Sequence, residues 1–379
     1  MNEQALTSRV APSVTSLPRA QWDALDPTGN PFVSHDFLSA LEESGSVGGD
    51  SGWMPAPVVI EAPGGELVGA MPAYLKQHSQ GEYVFDHAWA DAWHRAGGRY
   101  YPKLQIAVPF TSATGPRLLA HSDEIRAALL DTAEQLCAAH GFSSAHATFL
   151  SPDQVPVFEE NGWLLRNDIQ FHWHNHGYAS FDDFLARLSS ARRKNLRKER
   201  ARALEGLEVL HLTGADLREE HWDAFWLFYQ DTGARKWGQP YLTRAAFSLI
   251  GERMADRVLL VLACQHGRPV AGALNFIGKD ALYGRYWGAL IERPFLHFEL
   301  CYYQAIDIAI ARKLRRVEAG AQGPHKLARG YEPVQTWSAH YIAHEGFRAA
   351  VADFLERERQ GVASEALWLG GKTPFRKDG

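Results

Sequence analysis

Between Val317 and Tyr331 the chain reads VEAGAQGPHKLARGY, which sets a carboxylate (Glu318), an amide (Gln322), an imidazole (His325), an ammonium (Lys326) and a guanidinium (Arg329) in one glycine-rich span. A carboxylate or imidazole beside a bound amine can take its proton, and a lysine or arginine can neutralise a phosphate or carboxylate. Gly320 and Gly323 allow the backbone to approach a ligand closely. Upstream, LYGRYWGAL has the pattern of a strand whose alternation places Tyr283, Arg285 and Trp287 on one face and Tyr286 on the other. PFLHFELCYYQ then supplies His297, Glu299, Tyr302 and Tyr303 at the start of a helix, where free amides and the dipole favour anionic groups. Any one of these residues also suits a capped, solvated strand-to-helix turn; it is the cluster that points to chemistry.

Several other chemistries lack their residues. There is no Walker loop, no GxSxG elbow and no GxGxxG after a strand. FHWHNHG puts His172, His174 and His176 on one face of a strand, a set that could chelate zinc and serve a metal-dependent hydrolase. No neighbouring carboxylate or cysteine in the sequence completes that set, so no metal is assigned. FDDFLARLSSARRKNLRKERARALEG reads as one helix, apolar at Phe181, Phe184, Leu185 and Leu188 and then densely basic. Arg192, Arg193, Lys194, Arg197 and Lys198 form its phosphate-attracting stretch, with Glu199 the single acid between Arg187 and Arg202. A solvated face balanced by acids elsewhere is the competing account.

These residues need a scaffold, and the chain supplies a duplicated one. PAPVVIEA, GELVGAMPAYLK and GEYVFDHAWAD read as a three-strand meander, as do RVLLVLACQ, GRPVAGALNFIG and DALYGRYWGAL. Each meander is followed by a helix, 123–139 and 298–313, and then a strand, SSAHATFL and RRVEAGA, able to rejoin the sheet beside the meander's last strand. The spacing predicts an α/β protein with mixed sheets: an N-terminal lobe over 1–170, a connecting strand and basic helix over 171–206, and a C-terminal lobe over 207–379 carrying the site. With 379 residues, 46% hydrophobic, the chain can bury a sizeable core. Its net charge of -5 confines any polyanion contact to a local patch. Cys137, Cys264 and Cys301 are scattered and read as small buried hydrophobes in a reduced compartment. The first residues lack a signal-peptide pattern and no run is long enough to span a membrane, so a cytoplasmic protein without membrane insertion is expected.

KWGQPYLTR, AGALNF, LYGRYWG, LHFELCYYQAI and GAQGPHKLARG, with NPFVSHDFLSALEESGSV, FDHAWADAW, YYPKLQIAVPFTSATGPRLL and SSARRKNLRKERA in the first half, resemble the FemAB-like predicted N-acyltransferases of the GNAT superfamily over about 30–358. The resemblance implies two tandem GNAT-like lobes and transfer of an acyl or aminoacyl group to an amine of a small molecule or peptide, peptidoglycan-related. It implies no tightly bound cofactor; the co-substrate would be acyl-CoA or aminoacyl-tRNA. The junction GALIERPFLHFEL lacks the glycine turn that cradles coenzyme A pyrophosphate in GNAT enzymes, which favours tRNA, met by the basic helix. Transfer requires two aligned substrates, a base and an oxyanion donor. Glu318 or His325 is the expected base, with His297 and Glu299 positioning the acceptor and Tyr283 or Tyr302 donating to the oxyanion or leaving group. Arg285, Lys326 and Arg329 would hold an anionic group, with Trp287, Tyr303 and Gln322 lining the site. Asp86, His87, Trp89, Lys103 and Arg117 would line a groove for the second substrate in the first lobe. A peptide- or amine-binding protein without catalysis would use the same polar groups.

Overall fold

The structure is a computed structural model and describes residues 6–236, 240–320, 323–372 and 374–376. The chain divides into two compact units, Met1–Asp168 with Thr336–Ala363, and Ile169–Gln335 with Ser364–Gly379.

In the first unit, strands Trp53–Pro55, Ala73–Lys76 and Lys103–Ile106 pair antiparallel, and Ser144–Leu150 joins parallel to Lys103–Ile106. The crossover is helix Asp123–His140, which starts at the Ser122 side-chain cap and stops at Gly141 in the left-handed region. Its Leu129, Leu130, Ala133 and Cys137 pack on Leu104, Ile106, Ala145 and Ala147 to form the core. Residues 337–342 of strand Glu332–Ile342 pair antiparallel with Ser144–Leu150. Thr7–Val10, Val58–Glu61, Leu67–Met71 and Leu119–Ala120 make a separate four-stranded sheet. The expected first meander is therefore split at Pro72, between Leu67–Met71 and Ala73–Lys76. Its expected aromatic strand is instead helix His87–Arg95. Trp89 and Trp93 share a face in either conformation, because a spacing of four fits both periods, and the intervening alanines favour the helix.

The second unit follows its sequence pattern closely. Glu208–Leu212, Val258–Gln265, Arg268–Ile277 and Ala281–Ala289 form an antiparallel run. The tight turn at His266 and Gly267, φ 51° and 73°, pairs Gln265 with Arg268, as a two-residue hairpin requires. A crossover helix, Leu296–Ala311 with a π-helical turn at Glu299–Tyr303, leads to Arg316–Glu318. That strand lies parallel to Ala281–Tyr283 and antiparallel to His172–His174. The basic segment forms two helices, Phe181–Arg187 and Ser190–Leu204, because Leu188 turns extended and bridges Phe375. Both units thus have the mixed α/β architecture in which an antiparallel run becomes a parallel pair through a crossover helix. No described helix is long and apolar enough to cross a membrane.

Candidate active site

In the second unit, Ala281–Ala289 continues past Tyr283 while its parallel partner ends at Glu318, so the two strands pair only over Ala281–Tyr283. A bulge adds Arg285 between Gly284, opposite Asn275, and Tyr286, opposite Leu274. The extra residue reverses the alternation, so Tyr283 shares a face with Tyr286 and Trp287 faces the other side. This corrects the expected face of Tyr283, Arg285 and Trp287. Tyr286 packs edge-on against Tyr229, whereas Trp287 meets His297 at 5.2 Å between ring centroids.

The candidate residues consequently fall into two clusters. The first runs from Trp287 through His297 to Tyr302, whose hydroxyl lies 3.1 Å from His325 Nε2, with Phe298 beside His325 at 5.2 Å. Tyr302 is buried and His325 exposed. Burial, then Arg329 and Lys326, lower the His325 pKa, which keeps the imidazole neutral near pH 7. Burial raises the Tyr302 pKa, so the phenol keeps its proton. Gly323, at φ 108°, is required here: a Cβ would lie 2.2 Å from the His325 ring. Lys326, its pKa lowered by burial to about 8, bonds the Ala319 and Gly320 carbonyls and fixes the strand exit.

The second cluster holds Glu318, 3% exposed, which accepts from Arg316 Nε at 2.9 Å and stands 3.8 Å from His172 Nε2. Among the described residues its Oε2 has no hydrogen-bond partner. Arg316 also pairs with Asp280 at 2.7 Å, and burial lowers the His172 pKa. Among the described residues no hydrogen bond, ion pair or ring contact joins Glu318 to His325, so the two candidate bases occupy separate clusters. His172, His174 and His176 do share a face, at 6.4 Å between successive rings. Carboxylates absent from the local sequence, Glu318 and Glu332, approach the first and last of them. Among the described residues no group of three or more His, Cys, Asp or Glu side chains is arranged to hold a metal.

Three residues expected to touch substrate hold the protein together instead. Glu299 is fully buried, accepts from Arg200 at 2.9 and 3.1 Å and from Gln304 at 2.6 Å, and cannot position an acceptor without losing them. Burial raises its pKa against the opposing pull of Arg200. Arg329 is bound bidentately by Glu199 at 2.8 and 2.9 Å and lies 3.5 Å above the Phe298 ring, so it faces no open anion site. Tyr303 donates to the same Glu199. The sequence signal for this anchor was Glu199 itself, the lone acid of a basic run. Arg200 also points inward, but Arg192, Lys194, Arg197 and Lys198 are exposed and Arg193 half-buried; Arg197 pairs with Asp182 at 2.7 Å. Gln322, with Trp237–Gln239 of the KWGQPYLTR motif, lies outside the described residues.

In the first unit, Lys103 is fully buried and donates to Ser79 at 2.8 Å, Glu82 at 2.7 Å and Asp86. Tyr100 donates to Asp86 at 2.7 Å and adjoins His146, which meets His340 at 2.7 Å. Lys76 adds a second buried ammonium, 3.9 Å from Glu82. Burial raises the Glu82 pKa to about 7 and lowers that of Lys76 to about 7. Burial would raise Asp86 too, but Lys103 and His146 outweigh it and hold the carboxyl below its ordinary range. Arg117 is buried against the carbonyls of Thr148, Pro116 and Ala113. Asp86, Lys103 and Arg117 therefore do not line an open groove: their charges are compensated internally. Trp89 is buried against His340, and only His87 of the five is exposed. Lys76, Glu82, His146 and His340 carried no local motif and were missed.

An antiparallel run that becomes a parallel pair through a crossover helix, present in both units, defines a protein of two tandem GNAT-like lobes. Residues 13–377 match the FemAB-like family of peptidoglycan biosynthesis/recognition, and the chain belongs to that family. Among solved structures, FemX matches with a TM-score of 0.56 at 12% identity, covering 89% of this chain and 98% of FemX. The C-terminal domain of a putative lysylphosphatidylglycerol synthetase from Agrobacterium fabrum matches at 0.54 and 9% identity, covering 89% and 94%. L-PGS from Bacillus licheniformis matches at 0.51 and 9%, covering 86% and 98%. These similarities are ones of fold. No curated protein matches the sequence.

Proposed function

We propose that the protein is an N-acyltransferase that moves an aminoacyl group from aminoacyl-tRNA to an amine of a peptidoglycan-type peptide. The observation that carries this reading is the Tyr302 hydroxyl 3.1 Å from His325 Nε2, a protonated phenol beside an exposed neutral imidazole where the parallel strands cease to pair. With Nε2–H donated to the Tyr302 oxygen, Nδ1 is left to accept a proton from the attacking amine. The amine nitrogen bonds the donor's carbonyl carbon, the Tyr302 O–H stabilises the oxyanion, and the carbon–oxygen ester bond breaks as the proton passes from imidazole to the leaving hydroxyl. Trp287 and His297 wall the acceptor side. Glu318, buried and ion-paired, is the poorer base. The exposed charges of Arg192, Lys194 and Lys198 suit tRNA phosphates, and the missing glycine turn weighs against coenzyme A.

The test is mass spectrometry of a lysine-containing stem peptide incubated with the protein and either aminoacyl-tRNA or acyl-CoA. The peptide should gain one aminoacyl residue from tRNA, and His325→Ala should abolish the gain. Undiminished transfer by His325→Ala and Tyr302→Phe would reject the assigned pair. Stoichiometric peptide binding with no transfer from either donor would leave a recognition protein, the alternative that the family's description also admits.

A further inference from the structure

A cavity of about 740 Å³ lies in the second unit beside the Tyr302–His325 pair, and the transfer reaction makes no use of it. Its apolar lining comes from Leu327, Leu369 and Phe375, and Arg187 and Arg376 stand at its edge. Segment 374–376 pairs with 187–189: Arg376 N–H donates to the Arg187 carbonyl at 3.0 Å and Ser189 N–H to the Pro374 carbonyl at 3.1 Å. This pairing brings the two arginines side by side. Both are exposed, and neither forms an ion pair among the described residues; Glu332, on the same wall, lies 3.6 Å from His176. Tyr331 completes the wall; it is wholly buried, and its hydroxyl has no hydrogen-bond partner among the described residues.

We infer that this cavity is a binding site for an amphipathic anion, a phosphate or carboxylate head carried on an apolar body. The volume falls within the range of small-molecule sites. Arg187 and Arg376, opposite each other across the paired segments, can meet a phosphate or carboxylate, and the apolar wall takes the body. The site communicates with the reaction centre through one contact, since the Tyr331 ring packs edge-on against Tyr302 at 5.4 Å. Tyr331 thus links the cavity wall to the residue that bonds His325. The inference stands whether or not that pair transfers an acyl group.

Titration calorimetry of the full chain with octyl phosphate, octanoate, inorganic phosphate and octanol tests it. One equivalent of octyl phosphate or octanoate should bind, and the isolated head and isolated body should each bind at least tenfold more weakly. The double variant Arg187→Ser/Arg376→Ser, altered only at exposed positions, should lose tenfold or more with octyl phosphate and nothing with octanol. Ala366→Trp, which fills the cavity from a half-buried lining position, should abolish both. Circular dichroism of each variant would report whether it is folded. Absence of binding by both amphiphiles at millimolar concentration, or binding unchanged in the folded Ala366→Trp and double-arginine variants, overturns the inference.

Discussion

Replacing Arg200 by Met should expose what Glu299 does. In the parent, the Glu299 carboxylate is 0% exposed and receives two N–H bonds from Arg200 and one from Gln304. Removing the guanidinium leaves a buried anion with a single neutral donor, and breaking a buried pair from one side costs about 3–5 kcal/mol. Glu299 then escapes part of that cost by taking a proton. Burial already raises its pKa, and the loss of Arg200, which lowers it, raises it further. A carboxyl whose folded pKa lies above its unfolded value favours the folded state at low pH and loses that advantage as pH rises. The penalty should therefore be larger at pH 8 than at pH 5.5. Glu299→Gln/Arg200→Met removes both buried charges and should recover part of the loss, because a neutral amide facing Gln304 needs no counter-ion, while Asp307, 2.7 Å from Arg200 in the parent, is left unpaired but one-third exposed. Urea unfolding of the parent, both single variants and the double variant at the two pH values gives the coupling energy directly. An Arg200→Met protein within about 1 kcal/mol of the parent at both pH values would refute the structural role of this pair and return Glu299 to the candidates for acceptor binding.

Loss of the His325 imidazole should lower turnover by about 10²–10⁴-fold, and the acid limb of the parent's rate profile should lie below pH 6.5, the ordinary imidazole value, because His325 is lowered from it. Reversing Arg192, Lys194 and Lys198 to Glu should weaken tRNA binding and flatten its salt dependence by about 0.7–0.9 log units per phosphate contact removed, measured by filter binding across salt concentrations. Lys103→Met strands Glu82 and Asp86 in the first unit and should cost about 3–5 kcal/mol in urea unfolding. Lys76→Met acts oppositely: the folded Lys76 pKa, near 7, lies below the unfolded value, so the parent gains stability between pH 7 and 10.5 at up to about 1.4 kcal/mol per pH unit. The variant should lack that gain, and its advantage over the parent should shrink between pH 7 and 9.5.

The strands and crossover helix of the second unit were legible because each is bounded by its own turn chemistry, down to the His266–Gly267 hairpin. The bulge at Arg285 was not, since one inserted residue alters pairing without altering composition, and it separated Tyr283 from Trp287. Helix His87–Arg95 was hidden by a spacing that both periodicities accept. The cluster of Tyr302, His297 and His325 was visible as residue types, but not its division from Glu318, which depends on the parting of two strands. Lys103 and Asp86 read as groove residues because a sequence shows charges without their partners: those of Lys103 lie 17 to 24 residues away, and Asp86 also meets the distant His146.

Strand Glu332–Ile342 contributes residues 337–342 to the first unit's sheet beside Ser144–Leu150. During translation, almost two hundred residues must leave the ribosome between the synthesis of those two partners. Until then Ser144–Leu150 is an open edge, and a nascent chain halted at 168 exposes the kind of strand that recruits other chains. The N-terminal lobe can therefore close only after most of its successor has been made. Its own strands are made early, but completion of its sheet waits on residues 337–342.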